Sequence, residues 1–272
     1  MTEDVARHYS EDEALSQAIA DSLTRAGKDL ARLSPADLAS VDEFHIGGRK
    51  ATLDVAAQMK LTPASRVLDL GSGLGGPART LAETHGCHVT GIDLTPAFCR
   101  AAEVMSDWVG LADRVSFVEG DATALPFADG SFDAAMTIHV AMNIARKDRM
   151  YAEARRVLKP GGRFAVYDVL QGEGGPVLYP VPWARTPEIS HLATPDEMPG
   201  LLEGAGFRLI GVEDSSDASL KWFEAVAARL ATSAPAVTFQ AFLGIDFPAM
   251  AKNQVMNLRD RRIRTVTYIC EA

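Results

Sequence analysis

The chain has 272 residues, 47% hydrophobic and 23% charged, a globular balance that excludes wholesale disorder, which needs low hydrophobicity and high net charge. Its 27 basic and 36 acidic side chains leave a formal charge of −9, and an acidic surface repels phosphate backbones and anionic lipids, which argues against nucleic acid and membrane as partners. Nothing resembles a bilayer span of about 18 apolar residues, residues 1–13 are too acidic and polar for a signal peptide, and Cys87, Cys99 and Cys270 lack CxxC spacing, so the expected compartment is the reducing cytoplasm.

In chain order, residues 12–27 place Ala14, Leu15, Ala18, Ile19 and Leu23 at the spacing of one apolar helical stripe. A polar linker around Ser34 and Pro35 follows, then Phe44-His45-Ile46-Gly47-Gly48 and a second helix over 51–60. From Arg66 the texture changes. Strands are predicted at 67–70, 88–94, 115–118, 132–140 and 163–170, alternating with helices at 78–84, 96–111 and 148–158. His85, Cys87 and His88 are close in sequence, but Cys87 and His88 would point to opposite faces of a strand, and no metal site is expected. Residues 172–199 read as a long Gly- and Pro-rich loop carrying Trp183. A helix at 196–205, a strand at 207–212, helices at 219–231 and 236–262 broken at Pro248, and a last strand at 264–269 complete the chain. Arg259, Arg261, Arg262 and Arg264 read as a solvated helix face. Strands alternating with helices imply a Rossmann-like, doubly wound α/β domain.

Gly71-Ser72-Gly73-Leu74-Gly75-Gly76 follows a predicted strand and opens a helix, satisfying G-x-G-x-x-G. Asp93, 22 residues after Gly71 and at the end of the next strand, is placed to accept the hydroxyls of a ribose. A dinucleotide would set its pyrophosphate on this loop, where Asp69 would repel it by roughly 4 kcal/mol at about 4 Å and an effective dielectric near 20. S-adenosylmethionine carries an ammonium and a sulfonium instead, and the electrostatics favour it. Asp121, in Gly120-Asp121-Ala122 at the end of the third strand, could accept from an adenine amino group beside the backbone N–H of Ala122; capping a turn is its structural alternative.

These segments resemble the class I S-adenosylmethionine-dependent methyltransferases. The resemblance rests on Val67-Leu68-Asp69-Leu70-Gly71-Ser72-Gly73, Gly91-Ile92-Asp93-Leu94, Gly120-Asp121-Ala122, Phe132-Asp133 and Leu158-Lys159-Pro160-Gly161-Gly162, in family order across residues 66–170. It implies a seven-stranded sheet with the last strand antiparallel. The cofactor would then be S-adenosyl-L-methionine, held by His45, Gly47, Asp69, Gly71, Ser72, Gly73, Asp93, Leu94, Asp121, Ala122 and His139. A narrower similarity reaches the sarcosine/dimethylglycine and phosphoethanolamine N-methyltransferases, in which the segment around Phe44-His45-Ile46-Gly47-Gly48 folds over the cofactor. It implies a small-molecule acceptor, first an amine nitrogen and alternatively a phenolic or other hydroxyl. Where many relatives carry an acidic residue and a histidine four positions later, this chain has His139 and Asn143.

Methyl transfer rests on positioning, with the nucleophile about 3–3.5 Å from the methyl and in line; a base is needed only when the nucleophile must lose a proton. His139, predicted to end the fourth strand, is the catalytic candidate. Tyr9, Asn143, Trp183 and Trp222, with Phe223, are candidates for the acceptor pocket, by cation–π contact or stacking. The expected organisation is a helical cap over residues 1–62 and a cofactor-binding domain over 63–272 with a helical insertion at about 218–262, in a monomer or homodimer. The competing classes are an NAD(P)-dependent oxidoreductase and a non-catalytic cofactor-binding protein; Asp69 and the lack of a Tyr-x-x-x-Lys pair weigh against the first.

Overall fold

A computed structural model of the chain describes residues 15–232 and 244–272. Its strands are β1 (Arg66–Leu70), β2 (His88–Asp93), β3 (Val115–Glu119), β4 (Phe132–Ile138), β5 (Leu158–Gln171), β6 (Arg208–Asp214) and β7 (Ile263–Glu271). They form one sheet in the order β3-β2-β1-β4-β5-β7-β6. The pairs from β3 through β5 are parallel, and β7 runs antiparallel to both β5 and β6. The expected seven-stranded, doubly wound sheet with an antiparallel last strand is therefore what forms. Both faces are covered, which is why β1 and β4 are buried nearly end to end rather than alternately. Val67, Ala134 and Met136 pack on one side with Val55, Leu81 and Val89, while Leu68, Leu70 and Ala135 pack on the other with Tyr151, Phe164 and Phe207.

The helices are α1 (Leu15–Arg25), α2 (Pro35–Asp42), α3 (Gly48–Ala56), α4 (Gly76–His85), α5 (Pro96–Trp108), α6 (Lys147–Val157), α7 (Glu197–Gly204), α8 (Ser216–Thr232) and α9 (Phe247–Arg259). The region read as a linker at Ser34-Pro35 is the start of α2. Ser34 and Asp37 form a reciprocal capping box with Pro35 in the first turn, a helix start written in the sequence. The helix expected over 51–60 begins earlier, at Gly48, and ends at Ala56. Pro248, expected as a break, opens α9, where its missing N–H costs nothing.

The four clustered arginines do not form the expected solvated helix face. Only Arg259 lies in α9. Arg261 pairs with Asp217 at 2.8 Å, Arg262 with Asp260 at 3.4 Å, and Arg264 with Asp214 and Glu173, so the cluster is an ionic seam between elements rather than one helix face. Among the described residues no helix is long and apolar enough to cross a membrane.

Candidate active site

The strand order reverses between β1 and β4, and a cleft of ≈ 290 Å³ opens there at the carboxyl ends of the strands, the usual ligand position in an open α/β sheet. Its floor is the turn at residues 71–74. Gly71 has φ +75, and a Cβ there would collide with the Val140 side chain just beyond β4. Gly76 would drive a Cβ into the carbonyl of Asp42. Bare at both positions, the loop lies against β4 on one side and under the end of α2 on the other.

Asp93 ties this loop together. Its Oδ2 accepts the Gly73 N–H at 2.8 Å and its Oδ1 the Thr95 N–H at 2.9 Å, and each oxygen keeps a further lone pair for a diol. Burial raises its pKa despite these bonds. Asp121 also lines the cleft, and its Oδ1 accepts both the N–H and the hydroxyl of Thr123, at 2.7 and 2.8 Å. The turn-capping role is thus present, and it uses one oxygen only. Asp69 does not line the cleft. It is buried in β1, its Oδ2 has no partner, and burial, then the charges of Glu43 and Asp93, push its pKa up to about 8. The Ser72 hydroxyl beside it is likewise buried without a partner.

Two imidazoles face each other at the other end. His139 follows β4 with φ 54, a left-handed conformation that costs a non-glycine residue of order 1–3 kcal/mol and clusters at functional sites. Its N–H donates to the Tyr167 carbonyl at 2.8 Å, and its Nε2 is buried with no partner. The ring centroid lies 4.8 Å from Tyr167 and 5.9 Å from His45. Burial, then the neighbouring His45, hold its pKa well below the usual value. Burial lowers His45 to about 4. Both rings are neutral at pH 7.

The remaining expected residues divide. His45, Gly71, Ser72, Gly73, Leu94, Ala122 and Asn143 line the cleft with Asp93, Asp121 and His139. Gly47 caps α3 at φ 87 and stands outside the lining. Asn143 spends its amide on the carbonyls of Trp183 and Ile189, at 2.7 and 3.0 Å, and so fastens the 172–199 loop to the end of β4. Trp183 is core, not cleft wall: it is 1% exposed, packed with Ile46, Met142 and Val169, and its indole N–H donates to Ser190. Trp222 packs against Phe223 and the same cluster, again outside the lining. Their apolar area is used for burial, the commoner fate of tryptophan. Tyr9 lies outside the described residues. Sequence reasoning missed Phe98 and His191, which line the cleft, and Arg79 beneath it. Fully buried, Arg79 donates to Asp42 Oδ2 at 2.8 Å, to the Ala102 carbonyl and Ser106 hydroxyl at 2.9 Å, and to the Leu74 carbonyl. Asp42 Oδ2 and Leu74 lie 37 and five residues away in sequence, a spacing with no local signature.

Residues 68–166 match the methyltransferase domain family. A sterol 24-C-methyltransferase of Gibberella zeae is 40% identical over 116 residues, 43% of this chain and 30% of that protein; the chain spans less than half the length of the sterol methyltransferase relatives it matches. Among solved structures, the [4+2]-cyclase SpnF superposes with TM-score 0.65 at 27% identity, covering 82% of this chain and 80% of that one. The geranyl diphosphate C-methyltransferase of Streptomyces coelicolor, solved with Mg2+, geranyl diphosphate and S-adenosyl-L-homocysteine, superposes with TM-score 0.72 at 17% identity, covering 99% and 97%. The last shows likeness of fold.

Proposed function

From a chain that carries a class I S-adenosylmethionine-dependent methyltransferase domain, we propose an enzyme that binds S-adenosylmethionine in this cleft and moves its methyl group to a hydroxyl oxygen of a small molecule. The observation that carries the reading is one cleft joining the Asp93–glycine cradle to two neutral imidazoles. The residues fit the cofactor. Asp93 offers lone pairs to a ribose diol, one oxygen of Asp121 stays outside its turn cap for the adenine, and Asp69, buried outside the cleft lining with an unpartnered Oδ2, acts on an ammonium through its charge rather than by contact. An approaching ammonium favours the ionised form of Asp69. The cofactor supplies an electrophilic methyl on a positive sulfur, and imidazoles that stay neutral add no repelling charge to such a site.

His139 is proposed as the catalytic residue that touches the acceptor, because its Nε2 has no partner in the protein and a buried polar atom costs free energy until it finds one. The helices at 35–56 act as the cap, since Val41, Phe44 and His45 complete the cleft wall. A second reading keeps the amine acceptor of sarcosine type, on the ground that Arg146 lines the cleft and suits a carboxylate. That guanidinium already holds Asp148 in a two-pronged pair at 2.9 and 2.6 Å, which an amino acid would have to displace. The hydroxyl reading needs no such exchange.

The test is release of S-adenosylhomocysteine with a panel of phenols, aliphatic alcohols, sterols and isoprenoids, together with sarcosine, dimethylglycine and phosphoethanolamine. The expected result is methylation confined to hydroxyl compounds. His139→Ala should lower turnover by about 100-fold with S-adenosylmethionine affinity held within a few-fold. Methylation of the amines alone overturns the hydroxyl reading, and unchanged turnover in His139→Ala overturns the role of that residue.

A further inference from the structure

Glu43 and His45 form an assembly that the cofactor cradle does not use. Glu43 follows α2 and is 2% exposed. Its carboxylate is clamped: Oε2 accepts the Thr52 hydroxyl and Oε1 the Thr80 hydroxyl, each at 2.6 Å, and the Thr80 oxygen in turn accepts from Arg49 at 2.6 Å. His45 Nε2 lies 3.6 Å from Glu43 Oε2, 3.1 Å from the Gly48 carbonyl and 3.2 Å from the Thr52 oxygen. These partners determine the tautomer. A carbonyl oxygen only accepts, and the Thr52 hydrogen is already given to Glu43, so the proton of the neutral ring sits on Nε2. Nδ1 then carries the lone pair, on a ring that lines the cleft.

We propose that the Glu43–His45 pair is the proton acceptor of the reaction, with Nδ1 of His45 taking the proton and the Glu43 carboxylate stabilising the imidazolium that results. The inference rests on the methyl-transfer reading above. In the step, the acceptor oxygen forms its bond to the methyl carbon as its O–H proton passes to Nδ1; the electron pair of the broken C–S bond stays on sulfur, and His45 later returns the proton to water. His139 is the poorer base of the two. Burial opposes a charge on both rings; on His139 the nearby His45 opposes it further, whereas on His45 the Gly48 carbonyl and the charge of Asp42 partly offset burial. The ionisable groups facing His45 are Asp42 and Glu43 beside it, His139 after β4 and Tyr167 on β5; Arg49 on α3, Arg79 on α4 and Asp69 on β1 interact with Glu43 behind it. Glu43 is the one whose oxygen reaches the ring; burial raises its pKa, and the Thr52 and Thr80 hydroxyls with the charges of Arg49 and Arg79 act against that to favour the carboxylate.

The test uses the full chain with 15N-labelled histidine, titrated by NMR with and without S-adenosylmethionine, in the parent, Glu43→Gln and His45→Gln proteins. The expected spectrum places the His45 proton on Nε2, and Glu43→Gln lowers the pH at which His45 charges by about one unit, a tenfold change in its proton affinity. With a hydroxyl acceptor from the panel, the acid limb of the pH–rate profile should move by the same amount. His45→Gln, whose amide can still donate to the Gly48 carbonyl, should lose about 100-fold in turnover while binding S-adenosylmethionine within a few-fold of the parent. A proton found on Nδ1, a His45 titration indifferent to Glu43→Gln, or full turnover in His45→Gln overturns the proposal. These spectra need no acceptor. Calorimetry showing no S-adenosylmethionine binding by the parent protein would instead sink the reading beneath it.

Discussion

At the scale of single residues the cleft is organised by carboxylates whose two oxygens do different jobs. Asp93 shows this best, since it spends one lone pair of each oxygen on loop backbone at Gly73 and Thr95. Asp93→Ala therefore removes a ligand contact and a loop tie together. Two or more charge-assisted hydrogen bonds of about 1.5–3 kcal/mol each are at stake, so calorimetry should find S-adenosylmethionine affinity reduced by at least about 100-fold. Asp93→Asn, which keeps a carbonyl oxygen for one backbone N–H, should lose less, and equal losses in the two variants would show that the loop tie plays no part. Asp93 and Asp121 were legible because the first ends β2 and the second follows β3 by two residues, and the carboxyl ends of the strands face the crevice. Trp183 and Trp222 were misplaced for the opposite reason: loop and insertion residues carry no periodicity that says which face they turn inward.

Among the elements, the least readable was the one that closes the site. Helix α2 has a capping box and a leading proline, yet its eight residues mix Pro35, Ala36, Leu38 and Val41 with Asp37 and Asp42 and show no strong stripe. What fixes it is a buried ion pair made with α4. Asp42 and Arg79 meet at 2.8 Å with side chains 2% and 0% exposed, and burial, against the pull of Arg79, raises the Asp42 pKa to about 6. Breaking such a pair from one side leaves an uncompensated charge in the core and costs about 3–5 kcal/mol. Arg79→Met should therefore lower the urea midpoint sharply. In Arg79→Met combined with Asp42→Leu the loss should shrink, because an apolar pair of similar volume is close to neutral. Equal midpoints for the single and double variants would mean that Arg79 acts through its bonds to Leu74, Ala102 and Ser106 rather than through Asp42. The β-α alternation of 66–170 was readable because its central strands β1 and β4 are buried on both faces, α4 opens on Gly-Pro and closes on Gly, and α5 opens on Pro. A contact between residues 42 and 79 has no such local trace.

For the molecule as a whole, buried ionisable groups of opposite sign shape the pH dependence of stability. Asp42, Asp69 and Asp168 are raised by burial to about 6, about 8 and about 7; each binds its proton more tightly in the folded chain, so the stability it gives is present below the ordinary carboxylate range and is lost as pH climbs through the folded value. His45, lowered to about 4, and His139, lowered well below the usual 6.5, bind protons more tightly when unfolded, so their stability grows as pH rises toward 6.5. Between pH 4 and 6.5 the two sets oppose each other. From about 6.5 to 8 the histidines and Asp42 have largely finished while Asp168 and Asp69 still act, each retained proton tilting stability by about 1.4 kcal/mol per pH unit. Growing self-repulsion in a chain of net charge −9 adds in the same direction. The ligand-free protein should thus melt at progressively lower temperature from pH 6.5 to 8 in differential scanning calorimetry, and Asp69→Asn should flatten the upper part of that fall. Saturating S-adenosylmethionine should flatten it too, because the positive charge of a cofactor in the cleft favours the ionised Asp69 carboxylate behind it, and its binding should release a proton that buffers of different ionisation enthalpy reveal in calorimetry. A melting temperature that rises over this interval, or a slope that Asp69→Asn leaves unchanged, would show that Asp69 is ionised in the free protein and that its place under the glycine loop is structural alone.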